Sequence, residues 1–178
     1  MGVSALLEKA FKRRLTPPLD IIDIITVSAQ KEPFIVREKF VVNIAKTAPV
    51  KISSISQEFE RRFYDLICEP IGEKHLRRYV CTCSLRDDEI IEYLGSIEKM
   101  IVVPSDVFSL MEKNESAEHN IFLKELCSVF YARDISGELC AIGVSWFGEG
   151  LSVFAIPIDA NNVFAWAEGD LVIVPAQH

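Results

Sequence analysis

The sequence predicts an α+β fold: an antiparallel sheet with a C-terminal β-meander packed against three to four helices, in one domain over residues 1–178. Three observations predict it. Residues 126–174 hold five short apolar runs separated by turn residues at hairpin spacing. Ahead of them, β-branched runs alternate with apolar positions at helical spacing. The composition is 49% hydrophobic and 25% charged, a core rich enough to offset the chain entropy of folding.

Within residues 1–15, Ser4 is a suitable N-cap. Leu6, Leu7, Ala10, Phe11 and Leu15 share one helical face, with Lys9, Lys12 and Arg13 opposite. Pro17 and Pro18 stop this amphipathic helix. Such a helix can lie on a membrane or a partner, and packing on its own domain is the expected arrangement. Residues 19–28, with Ile21, Ile22, Ile24, Ile25 and Val27, predict a strand. Residues 34–45 predict a second, joined to the first through residues 30–33 as a hairpin.

Ser53, Ser54 or Ser56 caps the next helix, in which Ile55, Phe59, Phe63, Leu66 and Ile67 recur at helical spacing until Pro70 and Gly72 end it. Residues 75–84 alternate as a strand, which places Cys81 and Cys83 on one face. A third helix opens at Ser84. Asp87, Asp88 and Glu89 complement its positive N-terminus, and Ile90, Ile91, Leu94 and Ile97 form its buried stripe. Residues 105–113 predict a further helix, and residues 114–120 an exposed loop.

The meander runs are residues 126–133, 138–147, 151–158, 163–167 and 171–174. Tight turns join antiparallel strands, not parallel ones. Cys140, Ile142, Val144 and Trp146 make one apolar face, whereas residues 151–158 are apolar on both. That sheet needs cover on both sides in part, or strong curling.

Charge narrows the function. With 26 acidic and 19 basic residues the net charge is −7, while residues 1–15 alone carry +3. A negative body repels phosphates, so direct nucleic-acid binding is disfavoured and a basic protein partner favoured. The plainer meaning of this charge is solubility. No apolar run approaches the roughly 20 residues of a membrane span. Five cysteines without a CxxC pair fit core thiols in a reducing cytoplasm. Cys81 and Cys83 would supply only half of a zinc site, so no metal is expected.

No P-loop, GxGxxG or GxSxG elbow is present; Gly143-Val144-Ser145-Trp146 half resembles the last. No cofactor and no catalytic set is therefore assigned. An enzyme alternative remains: a small hydrolase or ribonuclease using His75 with Arg77 and Arg78, or His119 with a carboxylate. His178 is terminal. The meander is aromatic, and Trp146 and Phe147 must point to opposite faces of their strand. With the turn acids beside them, Trp146, Phe147, Glu149, Asp159, Trp166, Glu168 and Asp170 are the expected partner-binding residues: an aromatic centre with an acidic rim. The expected function is that of an acidic cytoplasmic inhibitor that steers onto a basic partner, such as a nuclease toxin, and occludes it. Toxin-immunity proteins and phage-encoded inhibitors share this profile of size, charge and missing catalytic motif. A structural homo-oligomer, with a homo-dimer as its simplest form, is the third reading.

Overall fold

The computed structural model describes residues 16–115, 121–159 and 164–176. The helix expected over residues 1–15, His119 and His178 lie outside the described residues. The elements follow in chain order as β1 (Leu19–Val27), β2 (Phe34–Ile35), α1 (Val36–Lys39), β3 (Ile52–Ile55), α2 (Gln57–Phe63), β4 (Ile67–Cys68), β5 (Lys74–Cys81) and β6 (Leu85–Arg86). Then come α3 (Asp87–Leu94), a 3₁₀ turn (Ile97–Lys99), α4 (Pro104–Glu115), β7 (Cys127–Arg133), β8 (Leu139–Phe147), β9 (Gly150–Pro157), β10 (Ala165–Trp166) and β11 (Leu171–Pro175).

The fold is α+β, built on a seven-stranded sheet of order β1-β5-β11-β7-β8-β9-β3. Three of the expected meander strands, β7, β8 and β9, pair in sequence as antiparallel neighbours. The rest of the meander departs from expectation. β10 leaves the sheet and pairs with β6 as a separate ribbon. β11 inserts between β5 and β7, antiparallel to the first and parallel to the second. β3 also joins in parallel, on β9, so the sheet is mixed. The position of β11 has a simple cause: Leu171, Val172, Ile173 and Val174 are all buried, and only a central strand buries both of its faces.

The hairpin expected between residues 19–28 and 34–45 does not form. β1 pairs with β5 instead, and β2 pairs with β4. Residues 36–39 turn helical because Val36 and Phe40, four apart, both enter the core. α2 is shorter than expected, since Ile67 and Cys68 belong to β4. Of the three candidate caps, Ser56 serves, its Oγ accepting from Phe59 N–H at 3.1 Å. β5 ends at Cys81, so Cys83 lies beyond the strand.

The two faces of the sheet are covered unequally. On the first face, α1, α2 and α4 pack Val36, Phe59, Phe63, Val107, Phe108 and Leu110 against Leu76, Phe130, Ile142, Val144 and Ile173. On the second, α3 and the β6/β10 ribbon cover the middle strands through Leu85, Ile90 and Trp166, which meet Tyr79, Val129, Tyr131 and Val172. On that face Gly143 stands opposite Phe154. A Cβ on Gly143 would lie 2.7 Å from Phe154 Cε1 and closer still to Cζ. The ring occupies the space a side chain would need. Gly143→Ala is therefore expected to cost about 1–3 kcal/mol through overpacking. The double variant with Phe154→Ala should lose less than the sum of the two single losses. Urea unfolding of all four proteins checks this, and simple additivity would contradict it.

Candidate functional site

The second face is organised by a buried carboxylate. Asp87 begins α3, where it would ordinarily sit in solvent and serve the helix dipole. Its neighbours do behave so: Asp88 pairs with Arg86, and Glu89 accepts from the Arg86 backbone N–H at 2.9 Å. Asp87 instead turns inward. Its Oδ1 accepts from Tyr131 Oη–H and from Trp166 Nε1–H, each at 2.8 Å. Burial raises the Asp87 carboxyl above its ordinary range, and the hydrogen bonds from Trp166 and Tyr131 oppose that shift.

Trp166 is therefore not a surface anchor. It is 1% exposed and spends its N–H on Asp87. Asp170 is also committed internally: its carboxylate accepts from Cys127 N–H and Ala167 N–H, closing the turn into β11. Trp146 packs against the first-face core and donates its Nε1–H to the Phe122 carbonyl at 2.7 Å. Phe147, next along β8, points to the second face and is 66% exposed. Strand alternation had required such a split, and the structure shows which aromatic goes inside.

Around Phe147 the second face is open. At this end of β8, β9 and β3 the outward positions are Ser145, Ser152 and Ser54, all half-buried. Ser54 Oγ–H donates to Ser152 Oγ at 2.7 Å across the strand pair. Phe154, half-buried, stacks toward Trp166, and exposed Phe164 meets Trp166 edge-on. Glu149 sits exposed in the β8–β9 turn, and Glu168 in the turn before β11. Since Cys127 pairs with Ser145 and Asp170 holds Cys127 N–H, Glu168 lies at the same end of the sheet as Phe147. On this part of the face Phe147 and Phe164 are exposed, the serines are half-buried, and Glu149 and Glu168 lie at the Phe147 end.

Asp159 belongs elsewhere. It lies past the far end of β9, in a recess of about 380 Å³ that also involves Arg62, Arg133, Glu138, Leu139, Pro157 and Ile158. The wall of this recess is an ion network. Buried Arg62 donates to Glu58 and Asp134, each at 2.5 Å, and to Glu138 at 3.0 Å. Asp134 Oδ1 in turn accepts from the N–H groups of Ser136 and Glu138, fixing the β7–β8 turn. The hydrogen bonds from Arg61 and then Arg62 lower the Glu58 carboxyl to about 2.

Strand alternation also separates the expected cationic group. Arg78 faces Asp23 across the first face and pairs with it at 2.6 Å. His75 and Arg77 take the second face, where His75 Nδ1 lies 3.0 Å from Thr26 Oγ1. Lys74 reaches the start of α4 and pairs with buried Asp106 at 3.0 Å. That contact, with Ser105 alongside and the Cys68 thiol against Ser105, had no sequence signal, since the partners are distant along the chain. Asp106 Oδ1 and Ser105 Oγ are buried without a hydrogen bond among the described residues. The five cysteines are unbridged. Burial pushes the Cys81 and Cys127 thiols up to about 12 and Cys140 up to about 11. Among the described residues no group of three or more His, Cys, Asp or Glu side chains is placed to hold a metal ion. No described helix is long and apolar enough to cross a membrane.

Comparison with known proteins finds no matching family model, no matching curated protein and no matching solved structure.

The two carboxyl shifts have opposite pH signatures. Asp87 holds its proton more tightly in the fold, so its contribution is fully present below the unfolded value of 3.8 and is lost as pH rises through the raised folded value. Relative to wild type, Asp87→Asn should gain stability as pH climbs through that window. Glu58 behaves in reverse. Its contribution is present above 4.5 and is lost as pH falls toward about 2, so the deficit of Glu58→Gln should shrink to nothing on acidification. Urea midpoints measured from pH 2 to pH 7 check both, and parallel curves for wild type and variant would contradict them.

Proposed function

We propose that the chain is a protein-binding module that engages a basic partner through the exposed strip around Phe147. The observation that carries this reading is the 66% exposure of Phe147, at the end of β8 beside Glu149. A large aromatic left in water is costly unless something covers it, and such residues supply the centre of protein interfaces. Glu149 and Glu168 give that centre an acidic end, and the whole chain carries −7. Those charges accelerate encounter with a positive surface, while Phe147 and Phe164 hold the complex once formed. A nuclease toxin is the kind of partner this chemistry suits, since its substrate site is itself positive. Occlusion of that site, in the cytoplasm, would make the chain an inhibitor. Of the expected set, Phe147, Glu149 and Glu168 are the exposed members on which this reading rests, while Trp146, Trp166 and Asp170 are engaged inside the fold and Asp159 lies in the recess past β9.

The test pairs capture with substitution. Immobilised wild-type chain should retain a basic protein at low salt and release it as salt rises. Phe147→Ala should weaken that complex by about 2 kcal/mol, roughly thirtyfold. Glu149→Lys should slow association, and neither change should shift the unfolding midpoint appreciably, both residues being exposed. A retained protein whose binding is indifferent to both substitutions would contradict the proposal.

A further inference from the structure

Residues 39–51 differ from the rest of the chain in both charge and exposure. They hold Lys39, Lys46 and Lys51 and no acid, so this run carries +3 in a chain of −7. Both of its ends are planted in the core, through Phe40 at 0% and Val50 at 4% exposure. Between them residues 41–47 are all exposed. Val41, Val42 and Ile44, at 49%, 57% and 50%, are large aliphatics left in water close together.

The loop holds them out by its own bonds. Asn43 N–H donates to the Ile52 carbonyl at 2.9 Å and Ile52 N–H to the Asn43 carbonyl at 3.0 Å, which clamps the loop to β3 at the end of the sheet. Asn43 Oδ1 accepts from Ala45 N–H at 3.0 Å, and Ala48 N–H donates to the Ala45 carbonyl at 3.0 Å. The aliphatics therefore project from formed turns and not from a fraying end. Several surrounding acids have bases of their own: Asp65 pairs with Arg37 at 2.8 Å, and Glu58 with Arg61 and Arg62. Lys39 lies toward Glu112, which leaves Lys46 and Lys51 as the charges that lead. Glu38, just before the run, and Glu149, beside the Gly150 that packs on the Lys51 carbonyl, reduce the positive field.

We infer that this loop docks the protein on an anionic membrane surface, with Val41, Val42 and Ile44 entering the headgroup boundary and Lys46 and Lys51 meeting lipid phosphates. Three observations select a lipid surface. Val41 and Val42 are adjacent in an extended stretch, so they point to different sides; a flat partner would cover one, whereas a bilayer surrounds both. The exposed chemistry is aliphatic and lysine, without aromatic or arginine, and protein interfaces favour the reverse. Lysine stems instead lie along an apolar boundary while their ammonium groups stay at phosphate level. The charge also orients the molecule. With +3 in the loop, the rest of the chain carries −10, so an anionic leaflet attracts the one and repels the other. The inference stands apart from the basic partner proposed above, whose contact centres on Phe147.

Co-sedimentation of the full chain with vesicles tests it. Phosphatidylcholine vesicles carrying about a third phosphatidylserine should retain the protein at low salt, and pure phosphatidylcholine vesicles should not. Lys46→Gln should weaken retention about fivefold. Val42→Asp/Ile44→Asp should abolish it and leave the urea midpoint in place, both side chains being exposed. Glu149→Lys should strengthen retention, the opposite of its effect on the basic partner. In Ile44→Trp the added indole emission should shift to the blue on the anionic vesicles, which reads entry of the loop directly. A chain that ignores anionic vesicles would overturn the inference and leave an acidic protein as the loop's occupant. Retention that survives Val42→Asp/Ile44→Asp, as the basic residues 1–15 alone would give, would overturn it as well.

Discussion

The second layer of this protein hangs on the Asp87 carboxylate. A carboxylate taken out of water is costly unless donors meet it, and here a central strand and a short ribbon each supply one, through Tyr131 and Trp166. Removing either donor would leave a buried acceptor short of a partner, at a cost of about 1–3 kcal/mol. The bond pair pins the first residue of α3 above β7 and draws β10 out of the sheet to pack over it. α3 is therefore fixed over the middle of the face. Seven strands about 4.8 Å apart span roughly 29 Å, whereas one helix covers about 10 Å. The first face is covered along more of its width because three helices share it. The second is not.

What the layer leaves bare is where function has room. On one side Phe147 lies open beside Glu149 and a row of half-buried serines. On the other, Ile21 and Ile24 flank an acidic groove. Both sides carry exposed apolar side chains beside acidic groups. The other polar centres work inside the fold. Arg62 with Glu58, Asp134 and Glu138 fixes a turn to a helix. Asp170 closes the entry to β11.

Local physics was legible in the sequence, and distant pairing was not. The alternation through Cys140, Ile142, Val144 and Trp146 marked an apolar face of β8 that does enter the core, and it set Trp146 and Phe147 on opposite faces without deciding which is exposed. Ser56 and the spacing of Phe59 and Phe63 placed α2. The apolar run from Leu171 to Val174 marked a strand, and its lack of alternation was a signal for a central position that a meander cannot satisfy. Val36 and Phe40 were similarly a helical pair inside a stretch rich in β-branched residues. Trp166 and Asp87 are a different case. They are 79 positions apart, and each has an ordinary surface role available, so nothing local marks them as partners. The same holds for Lys74 and Asp106.

The central claim is that Asp87 fixes α3 through Trp166, and the indole proton of Trp166 reports it directly. In an NMR exchange experiment on the intact chain, that proton should exchange as slowly as the backbone amides of β7, because releasing it requires the layer to come off. The Trp146 indole proton, bonded to the Phe122 carbonyl on a half-buried ring, should exchange faster, through local opening. A Trp166 indole proton that exchanges at a solvent-exposed rate while β7 stays protected would contradict the account.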